Sequence, residues 1–409
     1  MEETTTTTFD EHQPPTTKRK LTSFSSISDH HPPVHPPPPA TIPFDVIANI
    51  LLKLPVKSLL RFKSTCKPWN ELISNPQFAK DHLRASASDR SRNRFLVTFR
   101  TFKNNNKSSS QSYLRDYPLS SVLEGSVDVT AAAPRNPFTC FENMANFLCG
   151  SCDGMFCMAA TPTSPIVWNP STGKFKELPR VGQANSITYV FGYDHVSDSY
   201  KVAAILNHGR IGNTDEHRVD HFVHTLGTND WRRIHGLPCF VIEDDSGKFV
   251  NGTLNWLAYD TNDIFSIVIA SLDLATEIYQ KIMPPVQRTL RGVKSFRSGV
   301  LNGSLCIVTN LGLVAHYWVM KEHGNGDSWT LLFRIPYYVV GFSKTLRICM
   351  APICVSDDGD EILLENLGKL VVYNSRTESF KATGVEVFKG SILAGVYTET
   401  LISPTSGSC

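Results

Sequence analysis

IPFDVIANILLKLPVKSLLRFKSTCKPWNELISNPQFAKDHL, residues Ile42 to Leu83, is the stretch from which the rest of the chain is read. Pro43 suits the start of a helix, where a missing N–H costs nothing, and Asp45 suits the positive end of the helix dipole. Val46, Ile47, Ile50, Leu51 and Leu54 follow at the spacing of one apolar helical stripe, which Pro55 ends. A second helix is predicted from Val56, carrying Leu59, Leu60 and Phe62. Pro68 is placed to open a third, with Trp69, Leu72 and Ile73 on its apolar side, and Asn75-Pro76 breaks the pattern before Phe78. Helices this short cannot close a sizeable core alone. Their apolar surplus therefore faces something else, either the rest of the same chain or another protein.

The order Ile42-Pro43-x-Asp45-Val46, Ile50-Leu51-x-x-Leu54-Pro55-Val56-Lys57-Ser58-Leu59, Arg61-Phe62, Cys66-Lys67-x-Trp69, Pro76-x-Phe78 resembles the F-box, in particular its plant form. The family usually opens with Leu where this chain has Ile42, and Phe44 and Pro68 stand at variable positions. The resemblance implies docking to a Skp-type adaptor (in plants its ASK relatives), which bridges to a cullin–RING ubiquitin ligase. Matched position by position, it assigns Ile42, Pro43, Val46, Ile50, Val56, Leu59, Cys66 and Trp69 to the adaptor face, and leaves Leu51, Leu72 and Phe78 internal. Six Lys or Arg against three acids between Ile42 and Leu83 would suit an acidic adaptor, or simply a solvated lysine face.

The chain has 409 residues, 41% of them hydrophobic, enough for a small module and one large domain. A net charge of +2 argues against a nucleic-acid partner. No run approaches the roughly 20 apolar residues of a membrane span, and the acidic, threonine-rich start is unlike a signal peptide. Ten scattered cysteines fit reduced thiols, and with them a cytoplasmic or nuclear location. The expected divisions are a Thr/Pro-rich tail over 1–41, the helical module over 42–83, a linker over 84–93, a β-domain over 94–404 and a tail over 405–409. The first tail, with its Lys18-Arg19-Lys20 triplet and His/Pro tract, has the composition of disordered chain with polyproline character.

From Arg94 the signals are strands and turns. Phe95–Phe99 reads as a strand, with Tyr113–Tyr117 as its return. Then a unit of roughly 40–50 residues recurs, the size of a propeller blade. It starts near Cys149-Gly150, Phe191-Gly192, Val250-Asn251-Gly252, Leu301-Asn302-Gly303 and Ile353-Cys354. Asn251-Gly252-Thr253 and Asn302-Gly303-Ser304 spell glycosylation acceptors but read as turns. Five units are legible. A sixth would combine the strands near Phe95 and Tyr113 with a last strand, Tyr397 to Ile402, and close the ring. The predicted fold is thus a small all-α module followed by an all-β, propeller-like domain of about six blades, with a β-sandwich as the alternative.

Trp168-Asn169-Pro170-Ser171-Thr172, Phe191-Gly192-Tyr193-Asp194 with Asp198-x-Tyr200-Lys201-Val202, Asn251-Gly252-x-Leu254-x-Trp256, and Trp318-Val319-Met320-Lys321 with Ser328-Trp329 together resemble the plant F-box-associated domain. His316-Tyr317 departs from the acidic–aliphatic pair usual before Trp318, and the loop Asn207 to Asp220 follows no pattern of that family.

Other patterns are weaker. Cys149-x-x-Cys152-x4-Cys157 lacks the second close pair or histidine that zinc needs and reads as sheet interior. His208, His217, His221 and His224 cluster in sequence without ligand spacing. Asp357-Asp358-x-Asp360-Glu361 reads as a solvated hairpin turn, since the spacing of a calcium loop is missing. No nucleophile elbow, phosphate loop or zincin motif occurs. No catalytic residue, cofactor site or metal site is therefore expected.

The two resemblances imply the substrate-recognition subunit of an SCF-type ubiquitin ligase, which holds a target protein for ubiquitination and degradation and is not itself an enzyme. The polar, mixed-charge stretch Asn207 to Asp220 is the candidate for target choice, through Arg210, Asp215, Glu216 and Arg218. A reading from another class is a propeller enzyme or glycan-binding lectin with an incidental helical preface.

Overall fold

A computed structural model describes residues 42–86, 89–102, 110–127, 147–210, 217–237, 239–242, 247–261, 263, 266–286, 293–311, 314–336, 350–366, 369–385 and 392–405. The N-terminal tail and residues 406–409 lie outside these.

Four helices open the described chain: α1 (Phe44–Leu52), α2 (Val56–Phe62), α3 (Lys67–Ser74) and α4 (Pro76–Ser86). The prolines punctuate them. Pro43 precedes α1, Pro55 caps α2, Pro68 sits in the first turn of α3 and Pro76 begins α4. The side chain of Asn75 accepts from the Gln77 N–H at 2.7 Å and so satisfies one donor of α4's first turn. Leu51, Val56, Leu59, Ile73, Phe78 and Ala79 are buried, and belong to one apolar cluster with Cys149, Cys152 and Met155 of the first β-sheet. The inner faces of the helices are thus covered by the chain's own β-domain.

That domain is a six-bladed propeller, not a sandwich. Blade 1 is Phe147–Cys152, Met155–Thr161, Ser164–Trp168 and Phe175–Glu177. Blade 2 is Ser186–Asp194, Ser199–Arg210, His217–Thr225 and Arg232–Ile234. Blade 3 is Lys248–Val250, Thr253–Asp260, Ile267–Asp273 and Tyr279–Ile282, with Cys239–Val241 also pairing to its second strand. Blade 4 is Val293–Leu301, Ser304–Leu311, Val314–Met320 and Trp329–Pro336, and blade 5 is Ala351–Val355, Glu361–Asn366, Lys369–Asn374 and Ser379–Ala382. Blade 6 joins the two ends of the domain, in the order Ser110–Pro118, Asn93–Phe102, Ile392–Thr398, with Phe95 opposite Val396. A short helix, α5 (Leu119–Glu124), follows blade 6's outer strand.

Stacked blades bury both faces of their middle strands, so Ile267 to Leu272 is buried without alternation. The innermost strands of all six blades line a channel of about 1680 Å³, through residues such as Gly150, Tyr193, Lys248, Arg297, Ile353 and Val396. Close approach at the axis requires a missing side chain at Gly299, where a Cβ would lie 2.6 Å from the Pro352 ring.

Two turn types recur. Asp153-Gly154, Asn251-Gly252 and Asn302-Gly303 hold both residues at positive φ, the two-residue hairpin that matches strand twist. The Asn-Gly pairs with glycosylation spelling are therefore turns. In the second type an Asn or Asp oxygen accepts two main-chain N–H groups: Asn169 from Ser171 and Thr172, Asp194 from Val196 and Ser197, Asp273 from Ala275 and Thr276, Asn374 from Arg376 and Thr377.

The closing strand differs from its expected place. It ends at Thr398, while Leu401 and Ile402 are buried beyond it. The reason lies in blade 1. The buried Asn169 amide donates to the carbonyls of Thr400 (3.0 Å) and Ile402 (2.7 Å), drawing the chain off the sheet.

Candidate functional site

The helical module leaves apolar side chains uncovered. Leu51 turns inward and Ile47 is half-buried, whereas Phe44, Val46 and Ile50 are 46%, 46% and 50% exposed; Ile42 is 61% exposed and Pro43 is also exposed. Cys66 is exposed at the start of α3, and Trp69 is half-buried, edge-on to Phe62 at 5.4 Å. Val56 and Leu59 are 1% and 0% exposed, so they sit within the module's core and support the outer face from beneath. Phe44 did not belong to the expected set. It lines a shallow groove of about 430 Å³ with Pro68, Glu71, Leu72 and Asn75. Leu72, expected inside, is half-buried at this groove, while Leu51 and Phe78 are buried. The signal for Phe44 was present in the sequence: an aromatic in the first turn of the helix.

Beneath this face the helices are bolted to one mouth of the propeller. Lys80 of α4 forms an ion pair with Asp198, and Arg90 forms one with Asp357; both acids lie in turns joining the first and second strands of their blades. Tyr193 donates to the same Asp198. Behind them Asp153 accepts from Tyr200 at 2.8 Å. Burial raises the Asp153 carboxyl's pKa above the ordinary value, and Tyr200's hydrogen bond only partly offsets it.

The hairpin expected to choose a target points the other way. Its described residues end the second strand of blade 2 and begin the third, at the mouth opposite α4. Much of Asn207 to Asp220 is strand: Asn207 pairs with Val219, Gly209 with Arg218 and Arg210 with His217. Asp215 and Glu216 lie outside the described residues, and for Arg210 only the backbone is described. Arg218 is 57% exposed and donates to the nearly buried Asp220 at 2.9 Å. Burial would raise the Asp220 pKa, but Arg218 and Arg233 outweigh it and hold the carboxyl below its usual range.

The remaining candidates have structural partners. Cys149, Cys152 and Cys157 are reduced thiols buried in blade 1, and burial is the first cause raising the Cys152 thiol. His221 and His224 lie inside a strand that begins at His217. His221 pairs with the Tyr279 hydroxyl at 2.8 Å, and His224 with the Asp230 carbonyl at 3.0 Å. Asp358 accepts from Ser356 and the Asp360 N–H within its own turn. Trp168 and Trp256 are buried among the blades. Among the described residues no group of three or more His, Cys, Asp or Glu could hold a metal ion, and no helix is long and apolar enough to cross a membrane.

Comparison with known proteins agrees with both halves of this architecture. Residues 41–81 match the F-box domain and residues 94–389 match the F-box associated beta propeller domain. An F-box/kelch-repeat protein of Arabidopsis thaliana is 29% identical over 89% of this chain and 96% of its own length. The F-box protein CPR1 of the same plant is 27% identical over 90% of each. Among solved structures, an oligogalacturonate lyase in complex with manganese overlays 72% of this chain and 81% of its own, at 10% identity and a TM-score of 0.41. With an F-box at its head and the associated propeller making up most of its length, the chain belongs to the family of plant F-box proteins with a C-terminal F-box associated β-propeller domain.

Proposed function

We propose that this protein is a non-catalytic substrate receptor of an SCF-type ubiquitin ligase, in the cytoplasm or nucleus. Its helical module takes a Skp/ASK-type adaptor, and through it a cullin–RING ligase; its propeller takes a target protein for ubiquitination and proteasomal degradation. The observation that carries this reading is the uncovered apolar side chains of α1, Val46 and Ile50 on one face and Phe44 in its first turn, on a helix whose Leu51 packs into the cluster shared with the propeller. The adaptor surface is assigned to Ile42, Pro43, Phe44, Val46, Ile50, Cys66 and Trp69, with Val56 and Leu59 supporting it from within. Holding a target near the charged conjugating enzyme raises the effective concentration of its lysines, which requires no chemistry from this chain. Target choice is assigned to the far rim of blade 2, with Arg218 and, in the same hairpin, Arg210, Asp215 and Glu216.

The test is co-purification of the full chain with a Skp-type adaptor. Val46→Asp with Ile50→Asp places two charges in the apolar contact and is expected to abolish capture, while the thermal transition of the propeller is retained. Ile42→Ala with Pro43→Ala is expected to weaken capture by about tenfold or more, as the loss of central anchors does. Capture unchanged in both would overturn the assignment.

A further inference from the structure

The turn between α2 and α3 sets a serine in a basic, exposed place beside the adaptor face. Ser64, Thr65 and Cys66 are exposed, and so are Arg61 before them and Lys67 after them. The Ser64 hydroxyl donates to the Arg61 carbonyl at 2.7 Å, a bond that water can replace. The main chain is held by the Lys63 N–H on the Leu59 carbonyl, the Ser64 N–H on that of Arg61 and the Thr65 N–H on that of Phe62. These are the bonds of a helix end, which opens at little cost compared with a core element.

Positive charge gathers around this turn. Lys63 is half-buried, and its pKa is lowered first by burial and then by Lys174, which stands just before the outer strand of blade 1. Lys67 meets Glu71 only at 3.8 Å, with both side chains exposed, so that acid offsets little of the charge. Over residues 42–83, six Lys or Arg stand against three acids, a net of +3, and all nine lie within the described residues. The chain leading to the hydroxyl reads Arg61-Phe62-Lys63-Ser64. An arginine three residues before a serine is the charge pattern by which arginine-directed kinases choose their acceptor, and Thr65 is one residue out of that register.

We propose that Ser64 is a phosphorylation site for an arginine-directed protein kinase, and that its phosphate releases the chain from the adaptor. The kinase brings ATP. The bond from the γ-phosphorus to the bridging oxygen of ADP breaks, a bond to Ser64 Oγ forms, and the kinase's catalytic carboxylate takes the hydroxyl proton. A phosphoserine carries nearly two negative charges, which takes the module from +3 to about +1. Cys66, assigned to the adaptor contact, is two residues on, and Trp69 follows in the first turn of α3. An apolar contact closing over this turn would strip water from the phosphate, and burying an unpaired charge is costly. A weaker positive field also slows the approach of an acidic partner. The adaptor covers the turn once bound, so the modification precedes assembly. This switch rests on the adaptor reading and adds its regulation.

The experiment treats the full chain, alone and in complex with a Skp-type adaptor, with magnesium ATP and a calcium/calmodulin-dependent kinase that selects arginine three residues before serine. Peptide mass spectrometry locates the phosphate. Ser64 is expected to be modified at least tenfold faster in the free chain than in the complex, and at least tenfold faster than in Arg61→Ala. The phosphorylated chain should lose at least tenfold in adaptor affinity at an unchanged melting temperature, and regain it after phosphatase treatment. Ser64→Ala, treated with the same kinase, should keep its capture, which separates this site from any other the kinase reaches. No phosphate on Ser64, equal modification of Arg61→Ala, or a loss of capture that follows a fall in melting temperature overturns the proposal. If the unmodified and phosphorylated chains capture the adaptor equally, the switch fails and the receptor reading stands. If the unmodified chain captures no adaptor, the receptor reading fails and the switch with it.

Discussion

Arg92 reaches back across 39 residues and donates from Nη2 to the main-chain carbonyl of Lys53 at 2.5 Å. The same guanidinium donates from Nε to Asp89 at 2.9 Å and from Nη1 to the Ser86 hydroxyl, and it lies 3.1 Å from His82. The carbonyl of Arg92 accepts from the Glu399 N–H at 3.2 Å, next to the closing strand of the propeller. One nearly buried cation therefore ties the end of α1 to the end of α4, and its main chain joins both to blade 6. The receptor proposed above would benefit from such a joint, because a stiff connection between its two halves fixes how far a target is held from the adaptor.

Replacing Arg92 with Met is expected to remove this joint while keeping most of the volume. The buried Ser86 hydroxyl and the Lys53 carbonyl would lose their donor, and mutations of that kind typically cost about 1–3 kcal/mol. Denaturant unfolding should show the loss, and limited proteolysis should show new cleavage near residues 86–92. Arg92→Lys should recover only part of it, since an ammonium cannot span the same acceptors. A variant as stable and as protected as the parent would show that the joint is not needed.

The helices were legible because prolines mark their starts and stops, and the hairpins because Asn-Gly and Asp-Gly leave few other turns open. The blade period and the pairing of the strand at Phe95 with the last strand were also readable. What escaped depends on contacts between residues far apart in sequence. Nothing local distinguishes Val56 and Leu59, which are buried, from Val46 and Ile50, which are not. Nothing before folding shows that Asn169 holds Ile402, 233 residues on, and so shortens the last strand. Arg233 and Asp220 are 13 residues apart on different strands, so the arginine pair over one acid appears only once the hairpin register is known.

Ring closure gives a second prediction. Residues Ile392–Thr398 supply the innermost strand of blade 6, and Phe156 packs edge-on to Tyr397 at 5.3 Å. A chain ending before Lys389 would leave the strand Asn93–Phe102 with an unpaired edge facing the channel, and open edges recruit other chains. That truncation is expected to aggregate, as judged by light scattering. Asn169→Ala, which keeps the strand but frees Thr400 and Ile402, should remain soluble and lose about 1–3 kcal/mol. A soluble, cooperatively melting truncation would mean that the ring does not depend on its C-terminal strand.

A third concerns pH. Burial lowers the His221 pKa to about 4, with Asp220 opposing it only weakly. The folded protein thus binds fewer protons at this site than the unfolded chain between about pH 4 and the ordinary histidine value near 6.5. Stability should therefore rise with pH across that window, be complete above it and decline as pH falls, by at most about 1.4 kcal/mol per pH unit for this group. His82 and His224 are also lowered by burial and act with the same sign. Asp194 and Glu277 have lowered values, so their contributions are lost only at more acidic pH, below the ordinary carboxylate range. Urea unfolding at pH 5 and 7 should give a steeper difference for the parent than for His221→Asn. Equal differences would place the titration elsewhere.

The last prediction separates the outer face of the helical module from its core. Leu59 is fully buried and Ile50 is half exposed, yet both stand at positions that the F-box pattern assigns to the adaptor. Leu59→Ala would leave a cavity in the cluster shared with Ile73 and Met155, and buried Leu→Ala changes cost about 2–5 kcal/mol. Its effect on adaptor capture should follow its effect on folding, and should recover when the temperature is lowered. Ile50→Ala and Phe44→Ala remove exposed side chains and should shift stability by less than about 0.5 kcal/mol. Each should nevertheless weaken adaptor binding by about tenfold or more, the typical effect of truncating an interface anchor. Measuring the melting temperature and adaptor affinity of the same three preparations decides the matter. If Leu59→Ala reduces affinity while leaving the melting temperature unchanged, the adaptor reaches deeper into the module than its surface implies. If Phe44→Ala binds as the parent does, the groove between Phe44 and Leu72 lies outside the contact.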